Sequence, residues 1–391
     1  MKYVFPNIAH LDEVLEAIDG REEFIVAERE GFIVLNYMVH LPDSFPQPNT
    51  KDSKLNRLYT LRRECRGLKF DTNGKVIARP YHKFFNVNEK PETADNLLTV
   101  CDETVILDKL DGSMIHPLFI GDELFWSTKM GLTDIAADAG KFSETNGGYR
   151  KFALDCRLDN ITPIFEWCSR KQRIVVDYPE DNLILTAMRY NDTGAYITYS
   201  DLDIVANNFG IPIVPAWRGD FDGLSSFLLE ISGREDEEGY VIRWPDGHMS
   251  KAKNEWYCQL HKTKELLTFE KDVIALVLNE KHDDAKAFMD DNDKNRIDAY
   301  ANELYRQIGI SADRLNWIVI AAKDNLNNSK KRFALEVIPE HDTHDKALLY
   351  RIWDDNDPLT VVTEHVLGNT GSSTKVEQVR YLIGGIHWKD F

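Results

Sequence analysis

Cysteine is scarce in this chain. The five residues Cys65, Cys101, Cys156, Cys168 and Cys258 are odd in number, scattered, and form no C-x-x-C pair. That pattern argues against structural zinc and for a reducing cytosol. Long apolar runs are missing as well. None approaches the roughly 18 residues a membrane span needs, and the start, Met1-Lys-Tyr-Val-Phe-Pro6, has no signal-peptide apolar core. There is no internal repeat and no low-complexity tract. Positive charge is also short, with a formal net charge of −18. This sits badly with nucleic-acid binding, because phosphate recognition is largely electrostatic. The deficit is uneven, however. Residues 51–90 hold eleven Lys/Arg against four Asp/Glu, so a basic groove in an acidic body fits the composition.

What is present is an ordinary globular composition, 43% hydrophobic over 391 residues, enough for two domains with sizeable cores. Leu11, Val14, Leu15 and Ile18 follow helical spacing, with Gly20 as a stop. Strands are expected across Phe24–Met38 around Arg29-Glu-Gly31, followed by a loop from His40 to Asn56. Asn73-Gly74 reads as a hairpin turn between Arg66–Phe70 and Val76–Ala78, and Pro245-Asp-Gly247 as another between Tyr240–Trp244 and His248–Lys253. Helical pieces are expected near 133–158 and 200–209. After Trp256 the periodicity becomes helical, with Ser311 as an N-cap for Ala312–Leu326 and a last helix from Lys375 to Ile383 ending at Gly384-Gly385. The expected fold is α+β: antiparallel sheets with flanking helices over residues 1–260, then an all-helical C-terminal domain over 261–391.

One stretch stands out for chemistry, Ile106-Leu-Asp-Lys-Leu-Asp-Gly-Ser-Met114. Lys109 lies at the end of a β-favouring run and is followed by Asp-Gly, a turn pair. A lysine is nucleophilic only once its amine loses a proton, which neighbouring cations or desolvation promote. Taken alone, K-x-D-G is better explained by a surface lysine in a hairpin. Further stretches change the balance. Glu64-Cys-Arg66-Gly places Glu64 and Arg66 on one strand face by alternation. Lys83-Phe-Phe-Asn86 sets a cation beside aromatics, and Phe165-Glu166-Trp167 puts a carboxylate in an apolar strand, where an unpartnered one is costly. After Glu237-Glu238-Gly-Tyr-Val-Ile comes Lys251-Ala-Lys253, two lysines pointing the same way about 7 Å apart, a spacing suited to a polyphosphate. Asp283-Asp284 reads as a metal ligand pair or as a helix start.

In this order the segments resemble the motifs of the covalent nucleotidyltransferases, the ATP-dependent ligases and capping enzymes. The resemblance extends to the bacteriophage RNA ligase 1 family over roughly residues 25–285, through Glu64-Cys-Arg-Gly67, Lys83-Phe-Phe-Asn86, Lys109-x-Asp-Gly-Ser113, Phe165-Glu166 with Arg173-Ile-Val175, Glu238-Gly-Tyr-Val241, and Lys251-x-Lys-x-x-Trp-Tyr257 with Leu260-His261. The resemblance implies an ATP-dependent RNA ligase that joins 5′-phosphate and 3′-hydroxyl RNA ends through lysyl-AMP and RNA-adenylate, in RNA or tRNA repair, with ATP as AMP donor and Mg²⁺. It implies Lys109 as nucleophile, with Glu166, Glu238, Lys251 and Lys253 also catalytic. Tyr37, Arg66, Lys83, Lys129, Glu166, Lys251 and Lys253 would contact the nucleotide. Asp283, Glu166 and Glu238 would serve the metal. The chain departs from the family pattern at Cys168-Ser-Arg-Lys171 and at Ser127. The expected partner is RNA, a cleaved tRNA anticodon loop being one candidate, with no membrane, a cytoplasmic location and a monomer. A capping guanylyltransferase, a DNA ligase and a non-catalytic RNA-binding module are the competing readings. The first two usually carry a β-barrel where this chain turns helical.

Overall fold

The structure, a computed structural model, describes residues 3–171, 175–217, 223–234, 237–286 and 289–391. Arg173 and Ile174 of the Arg173-Ile-Val175 segment lie outside the described residues. The chain divides into two units, Met1–Cys258 and Gln259–Phe391, and the division falls inside the helix Glu255–Thr268.

Among its described residues the first unit holds thirteen strands in three sheets. β1 (Phe24–Arg29), β2 (Phe32–Tyr37), β3 (Arg66–Phe70) and β4 (Val76–Ala78) form one sheet in that order. The remaining strands are β5 (Phe85–Asn86), β6 (Val105–Asp108), β7 (Ser113–Ile120), β8 (Glu123–Ser127), β9 (Ile161–Cys168), β10 (Asn182–Tyr190), β11 (Ala216–Trp217), β12 (Gly239–Arg243) and β13 (Met249–Lys253). The second sheet has the order β10-β9-β7-β8, the third β11-β6-β12-β13-β5. Among the described residues every pairing of these strands is antiparallel except that of β5 on β13, where Phe85 lies opposite Ser250 and Asn86 opposite Lys251. The Asn73-Gly74 and Asp246-Gly247 turns join β3 to β4 and β12 to β13, as the turn chemistry requires. Helices cover the sheets where their apolar faces demand it. Phe152, Cys156, Leu202 and Ala206, from helices Tyr149–Leu158 and Tyr199–Phe209, are buried in one cluster with Phe165 and Leu185 of the second sheet. Leu11, Val14 and Leu61 pack in the same way with Leu35 and Leu68 of the first.

Two expectations for this unit fail. The segment His40–Asn56 is not all loop, because Asp52 caps a helix Ser53–Glu64, its Oδ1 accepting from the backbone N–H groups of Lys54 and Leu55 at 2.8 and 3.1 Å. Its many charged residues hide the apolar period. Glu64 therefore ends a helix and does not share a strand face with Arg66. It is buried, bonded to Arg189 at 2.8 Å and Arg79 at 3.1 Å.

The second unit is all helical, around a core that includes Val273, Ile297, Leu304, Leu315, Leu349 and Val362. Its main element is one helix of 35 residues, Asp291–Asn325, capped by Asp290, whose carboxylate accepts from Asp293 N. Ser311 is thus no N-cap. It sits mid-helix, buried, with its hydroxyl donated to the Leu382 carbonyl at 2.8 Å. The helical stretch Ser373–Ile383 does stop at Gly384, which takes the left-handed conformation at φ +66°, and a short 3-10 turn at Trp388–Asp390 follows. Among the described residues no helix is long and apolar enough to cross a membrane.

Candidate active site

β6 ends at Asp108, and the next strand, β7, belongs to a different sheet. Lys109–Gly112 is therefore a crossing between sheets and not a hairpin, which places Lys109 at the seam. Its backbone N–H donates to Gly239 O at 2.8 Å, locking the crossing to β12. Asp111 holds the remainder. Its buried carboxylate accepts from Val175 N at 2.7 Å, Val176 N at 2.8 Å and the Tyr257 hydroxyl at 2.7 Å, while its own N–H donates to the Tyr178 hydroxyl. Gly112 is dictated by space, since a Cβ there would lie 2.4 Å from the Trp167 carbonyl oxygen.

The seam opens into a cavity of about 550 Å³, within the range of small-molecule sites. Six of the ten sequence-predicted residues line it: Arg66, Lys109, Lys129, Glu166, Lys251 and Lys253. Glu238 stands behind them. It is buried, with Oε2 2.5 Å from Lys109 Nζ and Oε1 2.9 Å from Lys253 Nζ, so one carboxylate gathers both lysines. Gly239 follows it at φ +130°, with the place of a Cβ occupied by Ala252 O at 2.2 Å, a position only glycine tolerates. Tyr37 does not line the cavity but lies within the electrostatic reach of Arg66, Lys83 and Lys129. Lys83 lies a layer deeper, its Nζ 5.1–5.7 Å from the ring centres of Phe85, Tyr37 and Phe45. Asp283 belongs to the second unit, on the short helix His282–Lys286. Its side chain is 75% exposed and bonded to Lys286 at 2.9 Å.

Electrostatics separates the groups. Burial, with Arg66, Lys83, Lys109 and Lys253 adding to it, pushes the Lys251 amine down to about 7. Its Nζ sits 5.1 Å over the Phe84 ring. Burial pushes the Glu166 carboxyl up to about 7, helped by Glu238 and Asp111 and opposed by Lys109 and Arg66. Burial also raises the Tyr37 phenol, but Arg66, Lys83 and Lys129 together bring it below its ordinary value. A cavity walled by five cations, with one carboxyl poised near neutrality, suits a polyanion that carries its own metal.

A sequence-family model described as RNA ligase matches residues 64–265. This chain belongs to that RNA ligase family. The match contains every cavity-lining residue named above and covers just over half of the chain. The first unit is accordingly a domain of the ATP-dependent RNA-ligase and nucleotidyltransferase superfamily. Among relatives, a putative RNA ligase of Thermovibrio ammonificans is 26% identical, over 84% of this chain and 85% of its own. RNA ligase 1 of bacteriophage TS2126 is 24% identical, over 64% of this chain and 62% of its own. A solved archaeal ATP-dependent RNA ligase aligns over 74% of each chain at 14% identity with a TM-score of 0.45.

Sequence reasoning missed three parts of this ligase-family site. Asp111 and Tyr257 both stand in the motifs, but their pairing across the Lys109 crossing is not marked in either. Nothing in the sequence marks Tyr178. The thioethers of Met114 and Met130, which accept from Arg66 and Asn36 at 3.3 and 3.1 Å, carry no signal either.

Proposed function

We propose that this protein is an ATP-dependent RNA ligase of the bacteriophage RNA ligase 1 type, sealing 5′-phosphate to 3′-hydroxyl ends. The observation that carries this reading is Lys109. It is a lysine at a strand end, 21% exposed into a cavity of cations, with a buried carboxylate oxygen 2.5 Å from its amine. Glu238 is placed to take the proton that Nζ must lose before attack. Nζ then bonds to the α-phosphorus of ATP, and the bond from that phosphorus to the pyrophosphate oxygen breaks. Arg66, Lys129, Lys251 and Lys253 bear the charge that develops on the leaving group. An RNA 5′-phosphate oxygen next displaces Lys109 and acquires the AMP. The 3′-hydroxyl of the second end then attacks that phosphate, AMP leaves, and the strand is closed.

Mg²⁺ fits this donor set. Glu166 presents a carboxylate to the cavity, whereas both oxygens of Glu238 are engaged by lysines, so one protein carboxylate together with nucleotide phosphates would hold the ion, as is usual for Mg²⁺. The chemistry such an ion would supply there is neutralisation of phosphate charge. Asp283 is proposed as a further ligand on the family resemblance alone.

The second unit is proposed to choose the RNA, a cleaved tRNA anticodon loop being the first candidate. What supports this is the 35-residue helix, which presents Trp317 at 69% exposure, with Ile310 and Ile320 also exposed. An unstacked base can lie on such a ring.

The test is to incubate the full chain with α-labelled ATP or GTP and Mg²⁺, map the label, and add RNA. Label from ATP on Lys109 that discharges into sealed RNA is expected. Label from GTP would turn the reading to capping, and no label to a binding module. Trp317→Ala should lower sealing of a nicked tRNA loop relative to plain single-stranded RNA with labelling unchanged.

A further inference from the structure

Behind the cavity wall lies a cation that the proposed reaction does not use. Lys69, on β3, is fully buried. Its Nζ is 2.9 Å from Thr128 O, 3.1 Å from Gly67 O and 3.0 Å from His116 Nε2. His116 is also fully buried, and its Nδ1 lies 3.0 Å from Pro117 O. A carbonyl only accepts, so Nδ1 carries the hydrogen, and Nε2 of the neutral ring is left as an acceptor. Burial and Lys69 itself hold His116 neutral. Lys69 thus faces three acceptors with the three hydrogens of an ammonium group, and a neutral amine would leave one acceptor unmet.

Each acceptor belongs to a segment that also lines the cavity. Gly67 follows Arg66, Thr128 precedes Lys129, and His116 lies two residues beyond Met114 on β7. The first two segments are pressed together, since a Cβ on Gly67 would come within 2.7 Å of the Lys129 Cα. Among the described residues no carboxylate offsets the charge, and burial alone pushes the amine down to about 7. A buried ammonium without an ionic partner weakens the fold, so packing does not account for a lysine here. A methionine would fill the space without that penalty.

We propose that Lys69 is a positioning residue for the nucleotide: from behind the wall it fixes the Arg66-Gly67 and Thr128-Lys129 segments against each other, so that the Arg66 and Lys129 cations converge on one polyphosphate. This rests on the reading that the cavity takes ATP and that Lys129 meets its phosphates.

The experiment is single-turnover labelling of the full chain with α-labelled ATP across a range of concentrations, with thermal unfolding recorded alongside. In Lys69→Met the half-saturating ATP concentration should rise about tenfold while the limiting rate stays within about twofold, because alignment of bound phosphates is lost and the reacting lysine is untouched. A purely structural role would lower the labelled amount at every ATP concentration and leave half-saturation as in wild type, which would overturn the proposal. Should Lys69→Met not fold, Lys69→Gln is used. It is neutral and keeps two N–H donors, so a rise of about threefold supports the proposal, and an unchanged value overturns it. Lys129→Ala separates the two layers of the argument. If it raises half-saturation and the folded Lys69 variant does not, this inference fails alone. If neither does, the triphosphate role of Lys129 fails with it.

Discussion

The two units bury different things. Among the described residues, the first buries ten charged side chains: Glu23, Arg63, Glu64, Lys69, Arg79, Lys83, Asp111, Arg189, Glu238 and Arg243. The second buries one, Asp345, bonded to Arg314 at 3.0 Å and to the Tyr381 hydroxyl at 2.9 Å. Both units have ample apolar cores, so stability alone does not require the difference. Charge in a low-dielectric interior is costly unless paired, and it is most useful where another charge has to be received. On the proposed function the buried charge of the first unit serves to receive a polyanion, whereas the second unit would meet RNA through its surface.

That contrast can be broken at several points. The largest effect is expected for Lys109→Ala, which should reduce AMP labelling to background, a loss of at least about four decades, with thermal unfolding little changed because Glu238 keeps Lys253. A labelled variant would remove Lys109 as nucleophile. Next is Glu64→Gln, which strands Arg79 and Arg189 and should lower the unfolding free energy by about 3–5 kcal/mol in urea titration. A loss below about 1 kcal/mol would mean that the buried charges of the first unit are not structural. Lys251→Ala should slow labelling by about two decades, and full activity would leave that lysine a buried amine with no part in the reaction.

A pH profile sharpens the same point. In the free enzyme Glu166 has a raised carboxyl, so its ionised form is lost as pH falls through about 7. Lys251 has a depressed amine, so its cationic form is lost as pH rises through about 7. The kcat/KM for labelling should therefore peak near pH 7 and fall on both sides. Lys251→Arg, charged at every pH used, should flatten the alkaline limb only. A profile flat from about pH 6 to about pH 8.5 would show that neither group titrates in the working site. The smallest effect is expected in the second unit. Ser311→Ala loses one hydrogen bond, about 1 kcal/mol, and should leave labelling unaltered.

The same division explains what could be read from the sequence. Strand alternation and turn pairs located β3–β4 and β12–β13, and Glu166 was conspicuous as a carboxylate in an apolar strand. Local chemistry goes no further than the local turn. Asp-Gly after Lys109 signals a reversal of the chain and says nothing about which sheet receives the next strand, so the crossing from β6 to β7 was not legible. Serine is a good cap, but its hydroxyl serves equally inside a helix when a carbonyl from elsewhere, here that of Leu382, lies in reach. Glu64 was misread because an arginine-rich helix shows almost no apolar period. The brace between Asp111 and Tyr257 joins residues 146 apart in sequence, and no window of neighbouring residues contains both.

The bond from Lys109 N to Gly239 O spans about 130 residues of chain. The hydrogen-bond partner of the proposed nucleophile's backbone, the carboxylate beside its amine and the tyrosine that braces its crossing all come from residues 238–257, the last to be made in the first unit. At translation speeds of about 5–20 residues per second, Lys109 leaves the ribosome many seconds before any of them exists. During that interval it is an ordinary lysine on an unfinished sheet. Loop closure over such distances makes formation of the site a late event in folding, so a chain interrupted before Glu238 carries Lys109 without the groups proposed to activate it.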